Sequence, residues 1–128
     1  MKAILIMGST FDEQHAKKIT NKLDEYNIPW EQHAASAHKQ PLKVLEILEA
    51  NKNEKDIVYV TIAGRSNALS GFVAANSKFP TIGCPPFSDK ADMLVNIHST
   101  LQMPSQTPVL TVIDPGNCAL AVKRIFGV

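Results

Sequence analysis

Ser36-Ala37-His38-Lys39 sets a hydroxyl, an imidazole and a cation side by side in the first third of the chain. An imidazole with a reference pKa of about 6.5 exchanges protons in either direction near neutral pH, which suits general acid or base work. Gly8-Ser9-Thr10-Phe11-Asp12 adds a small turn with hydroxyls and a carboxylate, and Gly64-Arg65-Ser66-Asn67 adds a second cation, a hydroxyl and an amide. Gly8-Ser9 lets a ligand approach the backbone, and a helix beginning just after it would favour an anion through its free N–H groups. The same residues equally make a tight strand-to-helix turn with Asp12 as its cap. In the ligand reading, Asp12 accepts hydrogen bonds from sugar hydroxyls. Lys39 and Arg65 together can hold a phosphate monoester, whereas either one alone reads as a solvated surface charge. His15 and His98 fall in helical stretches and His33 in a strand, which points to structural or surface roles. No pair of His, Cys, Asp or Glu has metal-ligand spacing. No Gly-x-Ser-x-Gly elbow is present and no Walker lysine follows Gly8. These residues together point to a phosphorylated, ribose-bearing small molecule and a histidine proton shuttle.

The elements that must position these residues alternate between short β-rich apolar runs and longer helical ones. Lys2–Met7 is a continuous apolar run, as in a strand buried on both faces. Ala16, Ile19, Leu23 and Tyr26 then recur at helical spacing behind Asp12. Pro29–Ala34 reads as a second strand. A second helix carries Leu42, Leu45 and Leu48, with Pro41 in its first turn, and ends in the polar run after Ala50. Asp56–Ala63 is rich in β-favouring residues, and a helix through Leu69, Phe72, Val73 and Asn76 follows, in which Gly71 marks a weak point or close packing. Thr81–Cys84, stopped by Pro85-Pro86, is a short fourth strand. Ser88–Leu101 reads as a helix with Met93, Leu94, Ile97 and Leu101 inward. Pro108–Ile113 and Asn117–Phe126 supply a last strand and helix. Five βα units without repeats or a linker predict one α/β domain over residues 1–128, with a mostly parallel sheet. Right-handed crossovers leave the flavodoxin-like three-layer arrangement, strand order 2-1-3-4-5, as the expectation. Its crevice lies between strands one and three, where the topology reverses. The turns after strands one, two and three open on that rim.

The chain has 128 residues, 45% hydrophobic and 20% charged, with formal net charge +1. That balance gives no electrostatic case for nucleic acid or an anionic membrane surface, and the apolar runs are too short to span a bilayer. The N-terminal run meets Gly8-Ser9-Thr10 and then charge too soon for a signal peptide, so a cytoplasmic location is expected. Cys84 and Cys118, the only two cysteines, read as small buried apolar residues of a reducing compartment.

Met7-Gly8-Ser9-Thr10-Phe11-Asp12, Ser36-Ala37-His38-Lys39, Ala63-Gly64-Arg65-Ser66-Asn67, Cys84-Pro85-Pro86 and Leu101-Gln102-Met103-Pro104-Ser105 resemble, in order and spacing, the motifs of the aminoimidazole ribonucleotide (AIR) carboxylase/mutase family, PurE, of purine biosynthesis. The resemblance spans essentially the whole chain. One branch of that family rearranges the N-carboxy form of AIR and has a third motif rich in Gly and containing a His. The other takes carbon dioxide directly and carries Ala-Gly-Arg-Ser-Asn. This sequence resembles the second, the class II branch also found fused in animal purine enzymes.

The resemblance implies a lyase that needs no metal or cofactor, with AIR and carbon dioxide or bicarbonate as its small-molecule partners. It implies His38 as the proton-transfer residue. Ser9, Ser36, Lys39 and Arg65 would then lie on the 5′-phosphate and neighbouring oxygens, and Asp12 on the ribose. Ser66 and Asn67, with the backbone near Gly64, would position carbon dioxide or the new carboxylate, and Gly8 would let the substrate approach the backbone. It further implies a homo-oligomer, by family habit an octamer with active sites between subunits. Phe11 stands where the family has Ser, which removes a hydroxyl beside the phosphate and ribose; a bulky group there either weakens binding or is turned away. Gln106 replaces a Gly after Met-Pro-Ser. The sequence ends at Val128 without the C-terminal tail that wraps neighbouring subunits in many members, an expectation of a less secure octamer. The rival expectation is a diverged, non-catalytic paralogue that binds a nucleotide or a partner protein. A flavin module lacks its hydroxyl-rich loop at Gly8–Asp12, and a phosphoacceptor receiver lacks an Asp where strand three ends in Ala63.

Overall fold

The continuous apolar runs become the strands of one parallel sheet, in a computed structural model that describes residues 1–128. The strands are β1 (Lys2–Met7), β2 (Trp30–Ala34), β3 (Ile57–Ile62), β4 (Thr81–Gly83) and β5 (Leu110–Thr111), in the order β2-β1-β3-β4-β5. Every neighbouring pair is parallel, with Ile4 opposite Glu31 on one side and Tyr59 on the other. The expected flavodoxin-like order is the observed one.

Successive side chains of a strand point to opposite faces, and β1 divides its residues accordingly. Ala3, Leu5 and Met7 join one buried cluster with Ala16, Ile19 and Leu23 of α1 (Glu13–Glu25) and Cys118, Ala119 and Val122 of α5 (Pro115–Phe126). Ile4 and Ile6 join a second cluster with Val44, Ile47 and Leu48 of α2 (Pro41–Asn51) and Leu69 and Val73 of α3 (Leu69–Asn76). Both faces of the sheet are therefore covered, which is why β1 and β3 read as unbroken apolar runs. Each fully buried Ile or Leu here contributes roughly 1.5–3 kcal/mol through burial.

The remaining helix, α4 (Lys90–Leu101), departs from the sequence pattern. Its buried residues are Asn96 and Thr100, not the apolar set. Leu94 is 56% exposed, Val95 49% and Leu101 60%, while Met93 and Ile97 are half-buried. The reason is what α4 packs on. Asn96 Nδ2 donates to the Pro86 carbonyl at 2.7 Å, and Thr100 Oγ1 accepts from Asn67 Nδ2 at 3.1 Å. A Cβ on Gly83 would come within 2.7 Å of Thr100 Cγ2, so the glycine of β4 lets α4 approach the sheet.

Several boundaries also shift. Strand five shrinks from Pro108–Ile113 to Leu110–Thr111, because only Ile82 and Gly83 of β4 face it. β4 stops at Gly83, although Cys84 N still donates to the Thr61 carbonyl. α4 begins at Lys90, capped by Asp89, and α5 at Pro115, capped by Asp114. Gly71 marks close packing: a Cβ there would lie 3.0 Å from Met103 Sδ. No helix is long and apolar enough to cross a membrane.

Candidate functional site

The turns after β1, β2 and β3 come together at the carboxyl edge of the sheet around an open cavity of about 200 Å³. β1 lies between β2 and β3, so its neighbours' turns flank its own.

In the first turn, Ser9 Oγ accepts the Phe11 N–H at 3.2 Å and caps a short 3-10 turn over Thr10–Asp12. Asp12 occupies the N-cap position of α1 but makes no side-chain capping bond. Its expected role as the helix cap is therefore not what is seen: the intervening 3-10 turn takes the cap from Ser9 and leaves the carboxylate available to the cavity. Burial pushes the Asp12 carboxyl above its ordinary range, against the opposing pull of His15 one turn along. Gly8 and Gly64 leave a bare backbone facing the cavity, and an added Cβ at Gly8 would meet Ala63 at 3.5 Å, so packing alone does not demand the glycine.

In the second turn, Ser36 Oγ accepts the Lys39 N–H at 3.1 Å, and the Gln40 N–H closes on the Ser36 carbonyl at 2.7 Å. Ser9 and Ser36 thus accept from the backbone, which keeps each hydroxyl oriented and its own proton free to donate to an anion. His38 is exposed and lines the cavity. Lys39 does not line it: its backbone closes the turn while its side chain is exposed beyond the rim.

In the third turn, Arg65 lines the cavity, and its Nη2 lies 3.4 Å from Asp92 Oδ1 of α4. Asp92 also accepts from the Ser88 N–H at 2.9 Å and Asn96 Nδ2 at 3.2 Å, and the bonds from Ser88, followed by the charge of Arg65, hold its carboxyl below its ordinary range. Ser66 has a φ of 51°, a left-handed conformation that a residue with a Cβ adopts only when its surroundings hold it there. The holding groups come from Asn67 and α4. Asn67 N donates to Ser99 Oγ at 2.9 Å, Asn67 Nδ2 donates to Ser70 Oγ at 2.7 Å and to Thr100, and Asn67 Oδ1 accepts the Ser70 N–H at 3.1 Å. Asn67 lies on the cavity wall with both amide hydrogens already engaged, so its side chain shapes the turn and has no donor left for a ligand.

Of the residues singled out in the sequence, Gly8, Ser9, Asp12, Ser36, His38, Gly64, Arg65, Ser66 and Asn67 all meet here, and Lys39 alone stands outside. Ala37, Ala63, Ala68 and Leu69 complete the wall; their apolar side chains carry no chemical signal in a sequence. Asp92, Ser99 and Thr100 act on the third turn from about thirty residues away and have no local pattern that would reveal it. Phe11 is 96% exposed and does not line the cavity, so its ring is turned away from the space where a ligand would sit.

Known proteins resemble this chain over nearly its whole length. A phosphoribosylaminoimidazole carboxylase of Archaeoglobus fulgidus is 50% identical over 126 residues, covering 98% of this chain and 69% of the relative. A human bifunctional phosphoribosylaminoimidazole carboxylase/phosphoribosylaminoimidazole succinocarboxamide synthetase is 35% identical over 127 residues, covering 98% of this chain and 30% of the relative. The crystal structure of Treponema denticola PurE superposes with a TM-score of 0.89 at 42% identity, covering 98% of this chain and 79% of that one. The family model described as AIR carboxylase matches residues 2–128, and the chain belongs to that family.

Proposed function

We propose that the chain catalyses carboxylation of AIR to carboxy-AIR in purine biosynthesis, with His38 moving the proton. The observation that carries the reading is the convergence of His38, Asp12, Arg65 and two oriented hydroxyls on one cavity. AIR has an electron-rich imidazole C4, activated by its exocyclic amine. C4 attacks the carbon of carbon dioxide, the new C–C bond forms, and a C=O electron pair moves onto oxygen. The resulting tetrahedral C4 bears both hydrogen and carboxylate. A base then takes that hydrogen as a proton, and the C–H electrons restore the aromatic ring. His38 is the base at the rim, and its exposure leaves it able to pass the proton to solvent.

The remaining assignments follow the chemistry of the wall. Ser9, Ser36 and Arg65 supply donors for the 5′-phosphate, and the Asp12 carboxylate accepts from the ribose hydroxyls. Lys39 acts at longer range, from beyond the rim. Gly64 and Ser66 bound the place of carbon dioxide or the new carboxylate. The direct use of carbon dioxide rests on Ala63-Gly64-Arg65-Ser66-Asn67, the class II form of the third motif.

A cavity of about 200 Å³ is smaller than the 300–1,000 Å³ typical of small-molecule sites. A neighbouring copy of the chain completes it in this reading. The exposed Leu94, Val95 and Leu101 of α4 support a homo-oligomer, as does the bare ring of Phe11 beside the site. The octamer and the cytoplasmic location are parts of the proposal drawn from the family.

The test is to mix purified protein with carboxy-AIR and follow its decarboxylation to AIR, with His38→Asn alongside. Turnover in the natural chain that vanishes in the variant is expected. A folded protein that binds AIR and turns nothing over would overturn the enzymatic reading in favour of a binding paralogue. Supplying carbon dioxide or the N-carboxy form of AIR separately distinguishes carboxylase from mutase.

A further inference from the structure

α4 reaches the turn after β3 at two places, about two helical turns apart. Ser99 and Thr100 bond Asn67 and so fix the backbone of the turn. Asp92 meets a side chain instead: Nη2 of the Arg65 guanidinium lies 3.4 Å from Asp92 Oδ1. Arg65 lines the cavity and Asp92 does not. The Arg65 side chain is 72% exposed and that of Asp92 24%. A long side chain so open to water samples many rotamers unless something holds its head.

The two oxygens of Asp92 are used differently. Oδ2 accepts the Ser88 N–H at 2.9 Å and Asn96 Nδ2 at 3.2 Å. Asn96 is itself buried and donates to the Pro86 carbonyl at 2.7 Å, so Oδ2 is bonded to fixed parts of the scaffold. Asp89, the cap of α4, accepts the Asp92 N–H at 2.8 Å. An acid at this position, reaching back to a backbone N–H ahead of the helix, resembles a capping box, and Oδ2 fills that role. Oδ1 is not needed for it and faces Arg65. An ion pair this open to water adds little to stability, so holding the fold does not account for it.

We propose that Asp92 is a positioning residue, which aims the Arg65 guanidinium at the cavity wall to receive the 5′-phosphate of the substrate. This role rests on the proposed AIR reading, in which Arg65 meets that phosphate, and adds the group that orients it. A guanidinium has five N–H donors in a planar fork, and Asp92 makes contact through Nη2 alone. The donors of Nε and Nη1 remain for an anion, which a fork of this shape binds well. One contact at 3.4 Å biases the direction of the head and leaves it free to close on the phosphate. Binding then immobilises a side chain that is already aimed, which lowers the ordering cost of association.

Asp92→Asn is the test. Its amide keeps an oxygen for Ser88 and Asn96 and turns an NH2 toward Arg65, which has no acceptor to offer it. The folded full chain and the variant are titrated calorimetrically with AIR and with its 5′-dephosphorylated riboside. The variant is expected to bind AIR on the order of three- to tenfold more weakly and the riboside within about twofold of the natural chain. A merely structural role would weaken both alike. In steady-state kinetics the KM for AIR should rise more than kcat falls. With Arg65→Gln in place, Asp92→Asn should have no further effect on AIR binding, since the two residues act as one unit. An unchanged AIR affinity, an equal loss for AIR and riboside, or the same loss in the Arg65→Gln background would overturn the positioning role and leave the proposed reaction standing. So would tighter AIR binding by Asp92→Asn, which would make the aspartate a competitor of the phosphate. A natural chain that binds AIR no better than the riboside would overturn the phosphate role of Arg65 and that of Asp92 together. Should Asp92→Asn fail to fold, Asp92→Gln, whose amide suits the same capping position, replaces it.

Discussion

The side-chain amide of Asn67 donates to the Thr100 hydroxyl at 3.1 Å, tying the turn after β3 to the inner face of α4. Ser70, the amide's other acceptor, bonds Thr61 of β3 at 2.7 Å, so sheet, turn and two helices share one buried network. Thr100→Val keeps the shape and removes the acceptor, leaving a buried N–H without a partner. The variant is expected to lose about 1–3 kcal/mol of stability in urea unfolding. Because the network holds Ser66 in its left-handed conformation, the same change should raise the KM for AIR more than it lowers kcat. Steady-state kinetics on the folded variant checks this, and unchanged KM would separate the network from the site.

Asp12 is expected to trade stability for binding. Its carboxyl pKa is raised in the fold, chiefly by burial, above the unfolded value. A group of this sign favours the fold at pH below its unfolded pKa, and that contribution is lost as pH rises through its folded pKa. At neutral pH the charged carboxylate therefore opposes folding. Asp12→Asn should melt at a higher temperature than the natural chain at pH 7, and the difference should close as pH falls below the ordinary carboxylate range. In the same variant AIR binding should weaken, since the amide is a poorer acceptor for ribose hydroxyls. Thermal scans at the two pH values, with calorimetric titration at pH 7, test both halves.

What the sequence disclosed follows from how local each signal is. β1 and β3 are legible because they are buried on both faces and made almost wholly of β-favouring residues, with Thr61 the one polar side chain inside β3, and a parallel order with right-handed crossovers then fixes which turns meet. His38, Asp12 and Arg65 came with those turns. α4 was misread because helical periodicity assumes an apolar floor, whereas its floor is Asn67 and the Pro86 carbonyl. That Lys39 is exposed and off the cavity wall is not visible from residue type, since it depends on the turn that Ser36 closes by accepting its N–H. The Arg65–Asp92 contact joins residues 27 apart in the chain, beyond any spacing rule.

Phe11 replaces a family Ser, and the sequence alone suggests that restoring the Ser would lower the KM. With the ring 96% exposed and off the cavity wall, Phe11→Ser is now expected to leave the KM for AIR within about twofold, since a side chain in solvent contributes little to a site it does not touch. Leu94→Lys, which puts a charge on the apolar outer face of α4, should instead act on association. Sedimentation velocity is expected to show an oligomer for the natural chain and a shift toward monomer for Leu94→Lys. A monomeric natural chain with full activity would sink the idea that a second copy completes the cavity.

Tyr59 offers a test of stability far from the cavity. It lies on β3 in the cluster under α2 and α3, fully buried, with its ring tilted against Phe79 at 6.4 Å between centroids. Its hydroxyl has no hydrogen-bond partner. Burial, with the charge of Glu31 across the sheet, pushes the phenol up to about 12, so it stays protonated over the whole physiological range. A neutral hydroxyl buried without a partner has lost its water and gained nothing in exchange. Tyr59→Phe keeps the ring and its packing and removes only that oxygen. The variant should therefore be as stable as the natural chain or more stable by about 1 kcal/mol, read from the urea midpoint at unchanged slope. A loss of more than about 1 kcal/mol would mean that the hydroxyl is bonded in solution.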